Sequence, residues 1–212
     1  MYKTNQTDQF LSENIQKQKE SLQLKFLKNF ETQEKTLELL INGINHAKFN
    51  EFEDTKFIWN IAAFINIISF DFKIVGQDLM FAENEWQKRY YARQACLIIY
   101  ESINDFFDLL GKDFRKLITA NICNEIIENE LKSIKKELNS FKANNFEKLK
   151  EIRNVVIAHR DNDSLKQINS IQNISWSETI GLVTNYDKIL NQLGQVFQKL
   201  INIGLENFDE LK

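Results

Sequence analysis

Not one of the 212 residues is proline, and only six are glycine. β-Sandwiches and α/β proteins of this length need many tight turns, which proline and glycine usually supply. Their scarcity therefore favours a few long helices. Hydrophobic residues make up 43% of the chain and charged residues 27%, which is too apolar for a disordered protein. We predict one all-α domain over 1–212, long enough to bury a core.

Hydrophobic periodicity predicts an antiparallel bundle of about five to six helices. In the N-terminal half, residues 1–45 form one long amphipathic helix and 45–55 form a connection. A buried helix follows from residue 57 and ends at Gly76, since glycine suits the position after a helix C-terminus. The strongest helical pattern covers 83–110.

The C-terminal half contains the remaining predicted elements, which differ mainly in their polarity. They are a helix over 113–138, a polar connection over 139–145, a helix over 146–158 and a polar loop over 159–173. Ser175 and Glu178 then have the spacing of a capping box, so a last helix should begin there and run to about residue 203.

Charge and cysteine content limit the possible partners. The formal net charge is −3, so the chain lacks the positive charge of a protein that coats DNA, and any nucleic-acid contact must come from a local patch. Cys96 and Cys123 have no metal-site or redox spacing and are predicted to be small core residues. The N-terminus lacks a signal-peptide pattern, and the most apolar run, 57–70, is too short to cross a bilayer. We expect a cytoplasmic protein with no membrane, metal or cofactor requirement.

A dense group of ionisable residues ends the helix predicted over 146–158. In the run RNVVIAHRD, residues 153–161, Arg153 and Asn154 are followed by four apolar residues and then by His159. Histidine titrates near neutrality and can move a proton, whereas arginine stays charged and can bond two phosphate oxygens at once. The combination suits phosphodiester chemistry.

This run resembles the signature of the HEPN superfamily, in which an arginine, often followed by a polar residue, precedes a histidine by four to six intervening residues. The ending Ala-His-Arg-Asp is similar to that of abortive-infection-type HEPN proteins. A helical bundle with the motif late in the chain, after a long aromatic-rich helix, is also typical of the family. The resemblance implies an all-α, HEPN-like bundle over about 57–205, with 1–45 as an N-terminal elaboration.

The resemblance also implies a metal-independent endoribonuclease of antiphage abortive infection or of a toxin–antitoxin system. The RNA 2′-OH would attack the neighbouring phosphate, leaving a 2′,3′-cyclic phosphate and a 5′-OH. His159 would transfer the proton, Arg153 would stabilise the charge on the phosphate oxygens, and Asn154 would support the arginine. Arg160 would bind substrate charge, and Asp161 would help with orientation.

An earlier segment supplies further candidates for binding RNA. EWQKRYYAR, residues 85–93, interleaves aromatic and basic side chains, which can stack on bases and hold phosphates. Arg93 is then an auxiliary phosphate contact, and Tyr100 and Glu101 are expected to bond the polar groups of the motif. Alternatively, the aromatic residues belong to the core or an interface and the arginines are solvated.

Helix geometry bears on how the motif could act. In an uninterrupted α-helix, Arg153 and His159 lie about 120° apart around the axis and about 9 Å apart along it, too far to grip one phosphate easily. Either the helix unwinds near Ala158, or two chains bring their motifs together. The family usually dimerises around a shared cleft, so the resemblance favours a homodimer.

Regulation by a partner protein also follows from the resemblance. HEPN toxins that a nucleotidyltransferase silences commonly carry a tyrosine two residues after the histidine, where this chain has Asp161. Modification of that tyrosine is therefore not expected, although another antitoxin or regulatory partner is compatible with the sequence.

A second function fits the same residues without catalysis. His159 and Arg160 would simply interact with the dipole at a helix C-terminus, and Asp161 would begin the turn. The chain would then be a HEPN-like binding or assembly module for RNA or a protein partner.

Overall fold

A computed structural model describes residues 6–121, 124–154 and 164–210, and it confirms the all-α prediction. The helices of these residues exceed the five to six predicted. They are α1 (Gln6–Lys17), α2 (Lys19–Phe49), α3 (Glu53–Phe81), α4 (Glu85–Leu109), α5 (Lys112–Asn121), α6 (Glu125–Ile152), α7 (Ser164–Gln172) and α8 (Trp176–Glu210).

Helix α3 is the centre of the bundle, because it packs against α2, α4 and α8. Its side chains Ile61, Phe72 and Leu79 are at most 2% exposed. Helix α4 also packs on α6 and α8, and α6 packs on α8. The connections 50–52 and 82–84 are short, so α2, α3 and α4 run antiparallel to their chain neighbours.

Helix α3 is longer than the helix predicted from residue 57 to Gly76. Gly76 does not end the helix but lies buried inside it, because Phe72 and Leu79 continue the core-facing pattern on either side. The apolar run 57–70, predicted to be too short to cross a bilayer, is part of this helix of 29 residues. Among the described residues, α3 is the one helix apolar and long enough for this by composition, and it is the core helix of the bundle.

The N-terminal region divides into α1 and α2, with Gln18 between them, and α2 continues into the predicted connection as far as Phe49. It ends at Phe49 in a pair of backbone hydrogen bonds typical of a Schellman motif: Phe52 donates to the Ala47 carbonyl at 2.9 Å, and Glu51 donates to the Lys48 carbonyl at 3.3 Å. Glu51 has a φ of 59°, the left-handed conformation that this motif requires.

Helices α5 and α6 divide 112–152 differently from the prediction. The break comes before Asn124, whose side chain caps α6 by accepting hydrogen bonds from the backbone of Ile126 and Ile127. No break occurs over 139–145, because Leu138, Phe141 and Leu149 remain buried along one face. Asn145 occupies the intervening position on that face and donates to the Phe141 carbonyl at 2.8 Å, so its amide is satisfied locally.

The predicted loop 159–173 contains α7, Ser164–Gln172, which is therefore a second correction to the C-terminal half. The predicted start of the last helix is observed, since the Ser175 hydroxyl accepts a hydrogen bond from the Glu178 backbone at 3.3 Å. The Glu178 carboxylate accepts a bond from Lys148 at 2.7 Å, which joins α8 to α6.

The core also buries the hydroxyl groups of Ser102 and Tyr186 and the thiol of Cys96. The hydroxyls of Ser102 on α4 and Tyr186 on α8 are 2.9 Å apart, and burial raises the pKa of Tyr186. Cys96 is 1% exposed, as predicted for a core residue, and burial raises the pKa of its thiol to about 11. Cys123 lies outside the described residues.

The close approach of α2 to α3 depends on one glycine. A Cβ added to Gly43 would overlap the ring atoms of Trp59, an indole that is 8% exposed. The absence of a side chain at residue 43 therefore lets the indole pack directly on the α2 backbone.

We expect Gly43→Ala to lower the free energy of unfolding by about 1 to 3 kcal/mol, because the added methyl group must displace a packed indole. Gly181→Ala is the matched control, since Gly181 is an exposed residue of α8 and a Cβ added there would have no atom within 4 Å. It should be neutral or stabilise the protein by up to about 1 kcal/mol. Urea unfolding followed by circular dichroism measures both, and equal effects would contradict the packing role of Gly43.

Candidate functional site

Arg153 stands where the regular α-helix of α6 ends. Helix α6 runs to Ile152, and Arg153 and Asn154 form a π-helical turn. Turns of this kind often occur at functional sites, because they redirect side chains out of the helical repeat. Residues 155–159, including Ala158, lie outside the described residues, so unwinding near Ala158 and pairing of two chains both stay predictions.

Two hydrogen bonds hold the Arg153 guanidinium. Its Nε donates to Oε1 of Glu101 on α4 at 3.3 Å, and its Nη1 donates to Oδ1 of Asn154 at 3.2 Å. The Arg153 side chain is 33% exposed and that of Glu101 is 50% exposed, so the pair is open to solvent. These bonds use two of the five N–H donors of a guanidinium, which leaves capacity for an anion.

Tyr100 completes the group that the structure brings together around Arg153. The guanidinium carbon lies 5.8 Å from the centre of the Tyr100 ring, a cation–π distance. Tyr100 stacks on Phe146 of α6, with ring centres 4.9 Å apart. Adjacent residues of α4, Tyr100 and Glu101, thus both contact the arginine, one through its ring and the other through its carboxylate.

Two polar residues near this group were not singled out in the sequence. Lys142 Nζ lies 4.7 Å from the Phe146 ring centre and donates to Oδ1 of Asn104 at 3.2 Å. Asn104 Nδ2 donates to the Tyr100 carbonyl at 3.2 Å. The signal was available: Lys142, Phe146 and Arg153 have the spacing of one helix face, but the predicted break over 139–145 concealed it.

Arg93 lies seven residues before Tyr100 on α4, roughly 10 Å along the axis. Its guanidinium is 5.5 Å from the ring of Tyr90 and 5.9 Å from that of Trp86, both of which are exposed. Arg93 therefore contacts two exposed aromatic rings at the surface.

Arg89 has a different role from the solvated one considered in the sequence, since it is 1% exposed. It forms an ion pair with Glu85 and donates to the Glu85 carbonyl at 3.1 Å. Its Nε donates to the Gln172 carbonyl at 3.4 Å, at the end of α7. Arg89 thus fixes the end of α7 against the start of α4.

The other predicted residues of the motif, His159, Arg160 and Asp161, lie outside the described residues. Within the described ranges there is no group of three or more His, Cys, Asp or Glu side chains that could hold a metal ion.

Comparison with protein families matches residues 101–203 to the family HEPN_AbiU2, described as AbiU2. The matched range begins in α4 at Glu101, contains α6 with Arg153 and Asn154, and ends in α8. No curated protein and no solved structure matches the chain.

The two glutamate-paired arginines should differ in their effect on stability. Arg153→Gln should lower the free energy of unfolding by less than about 1 kcal/mol, because its ion pair is exposed. Arg89→Gln should cost about 3 kcal/mol, because it removes the guanidinium from a buried ion pair and from the Gln172 carbonyl. Urea unfolding of both variants tests this, and a large loss for Arg153→Gln would make that residue a structural one.

Proposed function

Because the chain belongs to the HEPN-type abortive-infection family, we propose that it is a metal-independent endoribonuclease of antiphage abortive infection or of a toxin–antitoxin system. The observation that carries the proposal is that the Arg153 side chain is both oriented by its neighbours and partly exposed to solvent. Its guanidinium is oriented by Glu101 and Asn154 and contacts Tyr100, yet a third of the side chain is open to solvent. The N–H donors that these bonds leave unused can bind the oxygens of a phosphate.

The proposed reaction needs one proton acceptor and one stabiliser of negative charge. The 2′-oxygen attacks the adjacent phosphorus as His159 takes its proton, and the bond from phosphorus to the 5′-oxygen breaks. The leaving oxygen acquires a proton, giving a 2′,3′-cyclic phosphate and a 5′-OH. Arg153 stabilises the charge that gathers on the phosphate oxygens. The role of His159 rests on the sequence motif, as do the supporting roles of Arg160 and Asp161.

We propose further that the active form is a cytoplasmic homodimer whose two motifs share a cleft, restrained by an antitoxin or another regulatory partner. The family resemblance and the separation of Arg153 from His159 in sequence support the dimer. Arg93, with its exposed aromatic neighbours, would extend RNA binding beyond the cleft.

Cleavage of RNA in the presence of EDTA tests the activity. The wild type should leave cyclic-phosphate ends, and His159→Ala and Arg153→Gln should each lower the rate by about 10² to 10⁴, the range for losing a proton-transfer group or a charge stabiliser. End-labelled transfer, ribosomal and messenger RNAs serve as substrates. Lys136→Met, at an exposed position of α6, controls for loss of a positive charge. A wild type that cuts none of these RNAs would favour the non-catalytic binding module.

Mixed dimers test whether the two chains share each site. If Arg153 of one chain acts with His159 of the other, a dimer of one Arg153→Gln chain and one His159→Ala chain retains one intact site. Equal co-expression should then restore about a quarter of the wild-type activity, because half of the dimers are mixed and each has one of two sites. Sites built within one chain would give no recovery. Differently tagged chains, purified in sequence, isolate the mixed species.

A further inference from the structure

A column of cations and aromatic rings runs along α4 and α6, starting from Arg153. It consists of Arg153, Tyr100, Phe146, Lys142 and Phe107. Successive members lie close: Arg153 is 5.8 Å from the Tyr100 ring centre, and the rings of Tyr100 and Phe146 are 4.9 Å apart. Lys142 Nζ is 4.7 Å from the Phe146 ring centre and 4.6 Å from that of Phe107.

Helical spacing explains why these side chains align. Lys142 and Arg153 are eleven residues apart on α6, which places them within about 20° of each other around the axis and about 16 Å apart along it. On α4, Tyr100 and Phe107 are seven residues apart, or about two turns. The column therefore follows the groove between the two packed helices.

The charge of Lys142 is not neutralised by a carboxylate within 4.0 Å in the described part of the chain. Its ammonium donates to the Asn104 amide oxygen and otherwise faces two rings, whereas Lys148 and Lys199 each pair with a glutamate. Half-buried cations of this kind are stabilised by a bound anion, since the rings and the amide supply only part of the lost hydration.

We propose that the column is a phosphate-binding track for single-stranded RNA, with Arg153 at the scissile phosphate and Lys142 at another phosphate of the same strand. This inference rests on the proposed function and extends it to substrate binding. The three distances along the column keep the two charged groups somewhat closer than the rise of about 16 Å between their backbones, a span of a few nucleotides at a rise of about 3.4 Å per nucleotide in a stacked strand. The rings are engaged within the column, so the contact at Lys142 is with the backbone and is independent of base sequence.

Binding of an oligonucleotide that cannot be cut tests the track with wild-type catalytic residues in place. A fluorescent single-stranded DNA lacks the 2′-OH that the proposed reaction needs. Lys142→Met keeps the alkyl packing on the rings and removes the charge. It should weaken binding and reduce the slope of log affinity against log salt by about 0.7, the contribution of one phosphate contact to a single strand. Lys142→Arg should retain most of the affinity.

Lys136→Met is the matched control, because Lys136 is exposed on the same helix about 120° around the axis from Lys142. It should leave the salt slope unchanged. Equal slopes for the two methionine variants would overturn the track, and so would a slope for Lys142→Met equal to that of the wild type. Thermal unfolding shows whether either variant is folded, and Lys142→Gln, which also removes the charge, takes the place of Lys142→Met if that variant is not folded.

Cleavage kinetics separate this proposal from the proposed function. On cleavable RNA, Lys142→Met should raise KM and leave kcat unchanged, because Lys142 is remote from the reacting phosphate. Charge-dependent binding at Lys142 without any cleavage would overturn the nuclease and retain the track. Cleavage with a salt slope indifferent to Lys142 would retain the nuclease and overturn the track.

Discussion

Burial of α3 against α2, α4 and α8 is the constraint on which the rest of the bundle depends. Helix α4 packs on α3 with one face and on α6 with another face. The alignment of α4 with α6 therefore follows from the core. That alignment brings Glu101 to Arg153 and Tyr100 to Phe146. The polar group is therefore positioned by apolar contacts formed elsewhere, and its own exposed ion pair contributes little to stability.

The all-α class and the helix over 83–110 could be predicted from the sequence, because they depend on composition and on a regular apolar repeat. Helix boundaries were harder where single polar residues stand at core-facing positions. Asn145 interrupts the apolar pattern of α6 yet bonds to its own helix, so the helix continues. Gly76 suggests an end, but apolar packing on both sides outweighs the modest helix cost of glycine. A cap such as Asn124 starts a helix without proline or glycine.

Some residues of the candidate site could likewise be predicted from the sequence, and others could not. Arg153, Asn154, Tyr100 and Glu101 could be named because motif and helix position both point to them, and the structure places all four in contact. Lys142 and Phe146 could not, since their relation to Arg153 requires α6 to be continuous over 139–145. A solvated Arg89 is the ordinary expectation for a charged residue, and its bond to the Gln172 carbonyl depends on the position of α7, which the sequence did not predict.

The ion pair between Glu101 and Arg153 has a consequence for which ligands the site accepts. The Glu101 carboxylate is tethered beside the guanidinium, so it competes at high effective concentration with any anion that binds Arg153. A lone phosphate ion or mononucleotide that binds the remaining donors of Arg153 also meets the repulsion of this carboxylate, with one contact in return. A polyanion that contacts the protein at several of its phosphates meets this repulsion at one of them and offsets it with its other contacts. Under the proposed function, small metabolites that carry one phosphate would therefore bind more weakly than a polyanion.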